Sequence, residues 1–139
     1  MSQKFKFYHP IQVRFAETDL QGHVFFGEYL TYFDVALTEY LKAIGLRYQD
    51  LLELGVDLLY LESRCQYKGR AYFDEVLNVH ARIGHIGHSS LTFEFAIYEE
   101  QSQRLVTTGQ IVAVAVDRET MQSIRVPDEL RQAVADFEG

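Results

Sequence analysis

The sequence predicts an α+β fold in which one antiparallel sheet packs around a long central helix. Three observations carry this. Residues 29–44 place apolar side chains at helical spacing in an unusually wide stripe. Later segments alternate apolar and polar residues with period two, the pattern of half-buried strands. The only two prolines, Pro10 and Pro127, stand near the chain ends, so nothing between them marks a boundary. The 139 residues are therefore read as one domain, 1–139, with room for a sizeable core.

The elements follow in order. "IQVRFAET" sets Ile11, Val13 and Phe15 against Gln12 and Arg14, which predicts a strand. Tyr29, Phe33, Ala36, Leu37, Tyr40, Leu41 and Ile44 form one face of a helix, and Gly45 is placed to end it. Adding Leu30, Tyr32 and Val35 widens the stripe until the helix should be buried on most of its surface. "YQDLLELG" reads as a short second helix ending at Gly55. "VDLLYLESRCQYKG" is a long strand with mixed faces. "EVLNVHARIGHIG" and "SLTFEFAIYEE" alternate cleanly, and "RLVTTGQIVAVAVD" becomes apolar on both faces, as a strand inside the sheet should. "PDELRQAVADFEG" is a short terminal helix. Four consecutive strands with short connections predict an antiparallel meander.

Composition removes several classes of function. Hydrophobic residues make up 47% and charged residues 24%, as in ordinary globular proteins. No apolar run reaches the roughly 18–20 residues of a membrane span. "MSQKFKFYHP" lacks the apolar core of a signal peptide. The single cysteine, Cys65, fits a reducing compartment, so a cytoplasmic protein is expected. A net charge of −7 opposes nucleic-acid binding, which depends on Lys and Arg neutralising phosphates. Lys68-Gly69-Arg70 is the obvious local basic spot for a small anionic group, or else a solvated turn. His85 and His88 lack the companions of a metal site. "GHSSL" is no nucleophile elbow, and no phosphate loop or dinucleotide fingerprint is present. Neither metal nor cofactor is expected.

The stretch "ETDLQGHVFFGEYLTYF" holds an acid, a glycine and an aromatic pair directly before the helix. Asp19 there reads either as a turn residue bonding its own backbone or as a reactive carboxylate.

With the residues before it, "VRFAETDLQGHVFFGEYLTYF" resembles the hot-dog-fold acyl-CoA thioesterases of the 4-hydroxybenzoyl-CoA thioesterase type. Glu17-Thr18-Asp19, Gly22, Val24-Phe25 and Tyr29 carry the likeness. "YKGRAYFDEV" adds Tyr67, Ala71 and Glu75, with Arg70 where proline is usual, and "GHSSLTFEFAIYE" adds a Ser-rich strand entry. The likeness covers about Phe7 to Asp117.

The resemblance implies hydrolysis of an acyl-CoA thioester by a homodimer or homotetramer whose sheets join edge to edge. It implies Asp19 as nucleophile or general base, and the helix N-terminus at Phe26 and Gly27 as the oxyanion site. Gly22, His23, Phe25 and Tyr29 would meet substrate, with Phe25 and Phe26 shaping the acyl pocket and Gly27 letting it approach the backbone. Lys68, Arg70 or Arg82 would hold nucleotide phosphates, and Ser89 and Ser90 the pantetheine arm. The acyl group stays open between a benzoyl-like slot and a fatty-acyl tunnel, and the carrier between coenzyme A and an acyl-carrier protein. Two rival readings are a hot-dog acyl-thioester hydratase or dehydratase, for which only His23 is near the acid, and a non-catalytic acyl-CoA-binding protein.

Overall fold

The computed structural model describes residues 4–139. Strand β1 (Tyr8–Gln12) leads through a 3-10 turn (Phe15–Glu17) to helix α1 (Glu28–Ala43) and the short helix α2 (Tyr48–Glu53). Four long strands follow: β2 (Val56–Tyr67), β3 (Val76–Ile86), β4 (Ser90–Glu99) and β5 (Leu105–Asp117). Helix α3 (Asp128–Glu138) ends the chain. The strands form one antiparallel sheet in the order β1-β3-β4-β5-β2, with α1 packed on its inner face. A sheet wrapped on a long central helix is the arrangement the family resemblance implies. Among the described residues no helix is long and apolar enough to cross a membrane.

Helix α1 forms because its apolar residues recur every three or four positions, and Tyr29, Tyr32, Phe33, Ala36, Leu37, Tyr40 and Leu41 are all buried. Gly45 adopts φ 87°, which ends the helix without the penalty a side chain would bring there. At the sheet centre the Phe33 ring stacks on Phe95, centroids 4.4 Å apart and planes within 11°. Phe33 reaches that depth because Gly109 of β5 lies beneath it. A Cβ at Gly109 would overlap both the Phe33 ring and the Arg64 carbonyl.

Three expectations are corrected. Helix α1 is not buried on most of its surface: Leu30 and Val35 are 39% and 36% exposed, so the wide stripe includes an outward apolar strip. The first strand stops at Gln12 instead of running on to Thr18. Its partner β3 begins at Val76, opposite Gln12, so the ladder runs out, and Arg14–Glu17 forms a local capping box instead. Finally, β3, β4 and β5 form a meander, but β2 does not join it beside β3. It pairs with β5 at the far edge. The connection 68–75 must therefore cross the end of the sheet beside the start of α1. Ala71 is buried there, and its carbonyl accepts the Val24 amide at 2.9 Å.

Candidate active site

The segment between β1 and α1 folds back on itself. The Phe25 amide donates to the Glu17 carbonyl and the Asp19 amide to the His23 carbonyl, at 2.9 and 3.0 Å, around a Thr18–Val24 bridge. The Gly22 amide closes the turn on the Asp19 carbonyl. Asp19 thus opens a tight turn, and its Oδ1 accepts the Gln21 amide at 2.9 Å, as turn aspartates do. Among the described residues its Oδ2 takes no hydrogen bond from the protein. One carboxylate oxygen thus serves the backbone and the other is unbonded among the described residues. Gly22 is explained by its φ of 85°, since nothing lies within 4 Å of a Cβ built there.

The hairpin runs straight into α1. Gly27 is the N-cap and supplies no side-chain cap. Among the described residues, the Phe26 and Gly27 amides donate to no other backbone carbonyl. They are open donors at the positive end of a helix of 16 residues. The space over Gly27 is filled by the neighbouring Phe25 ring, whose edge would sit 2.8 Å from an added Cβ. The absent side chain at Gly27 lets Phe25 fold over the helix start, which is compatible with the expected approach of an acyl group.

Two concavities flank this segment. One, of about 460 Å³, places Asp19 among Phe15, Leu20, Gly22 and Phe73, with Phe15 and Phe73 in edge contact at 6.1 Å. The other, of about 340 Å³, is lined by His23, Phe26, Tyr29, Tyr67, Lys68 and Arg70, among others. Lys68 and Arg70 are exposed and join no ion pair among the described residues. Tyr29 is buried against Tyr32 and Tyr67, its hydroxyl facing the Ala71 amide, and burial pushes its pKa up to about 12. It stays a neutral phenol at the floor of this cleft.

The thioesterase-like superfamily matches residues 13–134. The chain belongs to that superfamily. It is 25% identical over 128 residues to the acyl-CoA thioesterase YbgC of Haemophilus influenzae, covering 91% of this chain and 93% of that protein. It is similar in structure to the PA5185 protein of Pseudomonas aeruginosa, with TM-score 0.83, 31% identity, and 97% and 93% of the two chains covered. Slr0204, a 1,4-dihydroxy-2-naphthoyl-CoA thioesterase from Synechocystis, shares the fold with TM-score 0.86 at 21% identity, over 96% and 98% of the two chains.

Within one chain of this superfamily member, Asp19 and Gly22 line one concavity and His23, Phe26, Tyr29, Lys68 and Arg70 the other, with Phe25 and Gly27 in the segment between them. The structure does not bring Arg82, Ser89 or Ser90 to them. Arg82 lies on the outer face of β3, its Nε 2.7 Å from Glu94 Oε1. Ser89 and Ser90 sit at the β3–β4 turn, at the opposite end of a strand about 33 Å long. His23 sets Nδ1 3.1 Å from the Val24 carbonyl and Nε2 3.0 Å from Gln21 Oε1, so neither nitrogen meets a carboxylate.

Sequence reading missed Phe15, Leu20, Phe73 and Tyr67 as wall residues. Phe73 and Tyr72 were detectable as an aromatic pair in a connection with no alternation to explain it. Leu20 is wholly exposed beside Asp19 and carries no periodic signal. Among the described residues no group of three or more His, Cys, Asp or Glu could hold a metal ion.

Proposed function

We propose that this protein hydrolyses acyl-CoA thioesters, with Asp19 as the reacting carboxylate and the Phe26 and Gly27 amides as oxyanion donors. The observation that carries the reading is the joining of Asp19, with one unbonded oxygen, to an uncapped helix start by a single short hairpin. The family membership and the activity named for YbgC supply the substrate class. Lys68 and Arg70 give the second cleft the charge a nucleotide phosphate would seek. The thioester carbonyl would point at the amides, which stabilise the negative charge that develops on its oxygen. Asp19 Oδ2 either attacks the carbonyl carbon, giving an acyl anhydride that water then cleaves, or takes a proton from the attacking water. In both routes the C–S bond breaks, the thiolate leaves and is protonated by solvent, and the free acid follows. A hydratase reading is disfavoured because His23 has no carboxylate partner.

The test is Asp19→Asn, which keeps the turn and removes the charge. Turnover, followed as thiol release, should fall by about two to four orders of magnitude while the protein stays folded and binds acyl-CoA. A variant keeping more than about a tenth of wild-type turnover would overturn the assignment. Single turnover in ¹⁸O water reports the route: label in the Asp19 carboxylate with unlabelled product acid requires an anhydride cleaved at the Asp19 carbonyl, whereas general-base attack and anhydride cleavage at the acyl carbonyl both put the label in the product.

We also propose a homodimer formed through β2. Its outer edge is unpaired among the described residues, and Leu59, Tyr60 and Leu61 are 37%, 50% and 66% exposed, as are the outward Leu30 and Val35 of α1 in part. An open apolar edge strand of this length invites pairing. Light scattering at micromolar protein should give twice 16.1 kDa or a larger multiple, and a 16.1 kDa particle would refute it.

A further inference from the structure

Glu17 stands two residues before Asp19, and its side chain is only 11% exposed. Three donors hold its carboxylate. Oε1 accepts the Arg14 amide at 3.0 Å and the Tyr32 hydroxyl at 2.9 Å, and Oε2 accepts Arg14 Nε at 2.8 Å. Burial alone would raise the pKa of Glu17, but the bonds from Arg14 and Tyr32 outweigh it and leave the group below its ordinary value. It is an ionised, charge-assisted acceptor, and no step of hydrolysis uses it.

Its partners show what it connects. Tyr32 is 2% exposed and lies one turn inside α1. Glu17 itself is the base of the Asp19 hairpin, since its carbonyl accepts the Phe25 amide. The hairpin enters the helix through Phe25, Phe26 and Gly27. The strand that returns from Asp19 is also tied to the connection 68–75, through the Val24 amide on the Ala71 carbonyl. The Glu17–Tyr32 bond adds a side-chain tie from the other strand, the one that leads into Asp19, straight to α1. It holds that strand against the helix, which the covalent link and the Val24 bond do not do directly.

We propose that Glu17 and Tyr32 are a positioning pair, setting the separation of the Asp19 carboxylate from the Phe26 and Gly27 amides. The inference rests on the reading of Asp19 as the reacting group. Misplacing a reacting group by about 1 Å costs on the order of a hundredfold in rate, so a hinge left loose here is expensive. A carboxylate suits the task because charged acceptors hold shorter, stronger bonds than an amide.

The test compares Glu17→Gln, Tyr32→Phe, the double variant and Asp19→Asn. Each is assayed by thiol release from an acyl-CoA that the wild type hydrolyses, chosen from a straight-chain and aryl series, well below each variant's Tm. The single variants should lower kcat by about tenfold to a hundredfold with KM held within about threefold. The double variant should be no worse than the worse single, because both cut one connection. A purely structural contact would lower Tm and leave kcat per folded molecule unchanged. Tyr32→Phe is nearly isosteric and answers the question if Glu17→Gln does not fold. The pair is overturned if Tyr32→Phe keeps kcat within about twofold of wild type, or if the two losses multiply. Inactive Asp19→Asn with undisturbed Glu17 and Tyr32 variants defeats only the pair. Active Asp19→Asn defeats the reading of Asp19 itself.

Discussion

Arg104 and Glu75 form an ion pair of 3.0 Å between the β4–β5 turn and the connection 68–75. Arg104 Nη2 also donates to the Arg70 carbonyl at 2.7 Å, and Glu75 Oε1 accepts the Tyr72 amide at 2.8 Å. The braced segment carries Phe73 beside Asp19 at one end and Lys68 and Arg70 in the second cleft at the other. Arg104→Met should therefore raise KM for acyl-CoA by about twofold to tenfold. Its effect on stability should be small, about 1 kcal/mol or less, because the two side chains are 37% and 24% exposed. Steady-state kinetics beside urea unfolding would decide, and an unchanged KM would count against the brace.

Lys68→Ala and Arg70→Ala should each raise KM by about twofold to tenfold with kcat unchanged, the mark of lost uniform binding. The wild-type KM should rise with ionic strength, since exposed charges are screened within about 8–10 Å near physiological salt. Arg82→Ala serves as the comparison, because Arg82 is engaged by Glu94 on the other face of the sheet. An equal rise for Arg82→Ala would place the phosphates elsewhere.

Gly109→Ala and Gly84→Ala should differ in cost. At Gly109 an added methyl meets a backbone carbonyl and the packed Phe33 ring, neither of which can yield easily. Overpacking of this kind costs about 1–3 kcal/mol, occasionally more. At Gly84 it meets the flexible carboxylate end of Glu94, which can swing aside at the expense of a surface ion pair with Arg82. Urea midpoints should rank Gly109→Ala well below Gly84→Ala, and the reverse order would contradict the packing described.

Alkaline pH should unfold the protein through its buried phenols. Burial, then the bond to Glu17, raises the pKa of Tyr32, and burial, then the bond to Glu138, raises that of Tyr40. Burial likewise takes Tyr29 to about 12. The unfolded chain ionises these groups near pH 10 while the folded protein still holds their protons. Their contribution is whole below pH 10 and is lost as pH rises through the folded values, at about 1.4 kcal/mol per pH unit for each group. Denaturation between pH 9 and 11 should show this fall, and Tyr40→Phe should lessen its slope. Equal slopes would remove Tyr40 from the account.

Helix α1 and strands β3 and β4 were legible in the sequence because each keeps one periodicity for ten residues or more, and β5 because its second half is apolar on both faces. The place of β2 was not, since alternation names a strand without naming its neighbour, and residues 68–75 are long enough to reach the far edge. Leu30 and Val35 misled for a related reason: an apolar strip facing outward looks like core until the surface around it is known. At the site, Asp19 and the helix start were visible as a motif, whereas Phe15 and Phe73 meet only after folding. Glu17 and Tyr32 are fifteen residues apart and carry no local signal of contact.

The filled centre of the sheet, where Phe33 occupies the hollow above Gly109, lies apart from the concavity that holds Asp19, so on the proposed reading folding and ligand choice rest on different residues. The walls around Asp19 are instead surface residues: Phe15, Leu20 and Phe73 are all more than half exposed. Exchanging them sacrifices little folding energy. If the proposed site is right, selectivity can drift by substitution at the rim while the scaffold stays constant, and relatives exchanged at positions 15, 20 and 73 should differ in preferred acyl group.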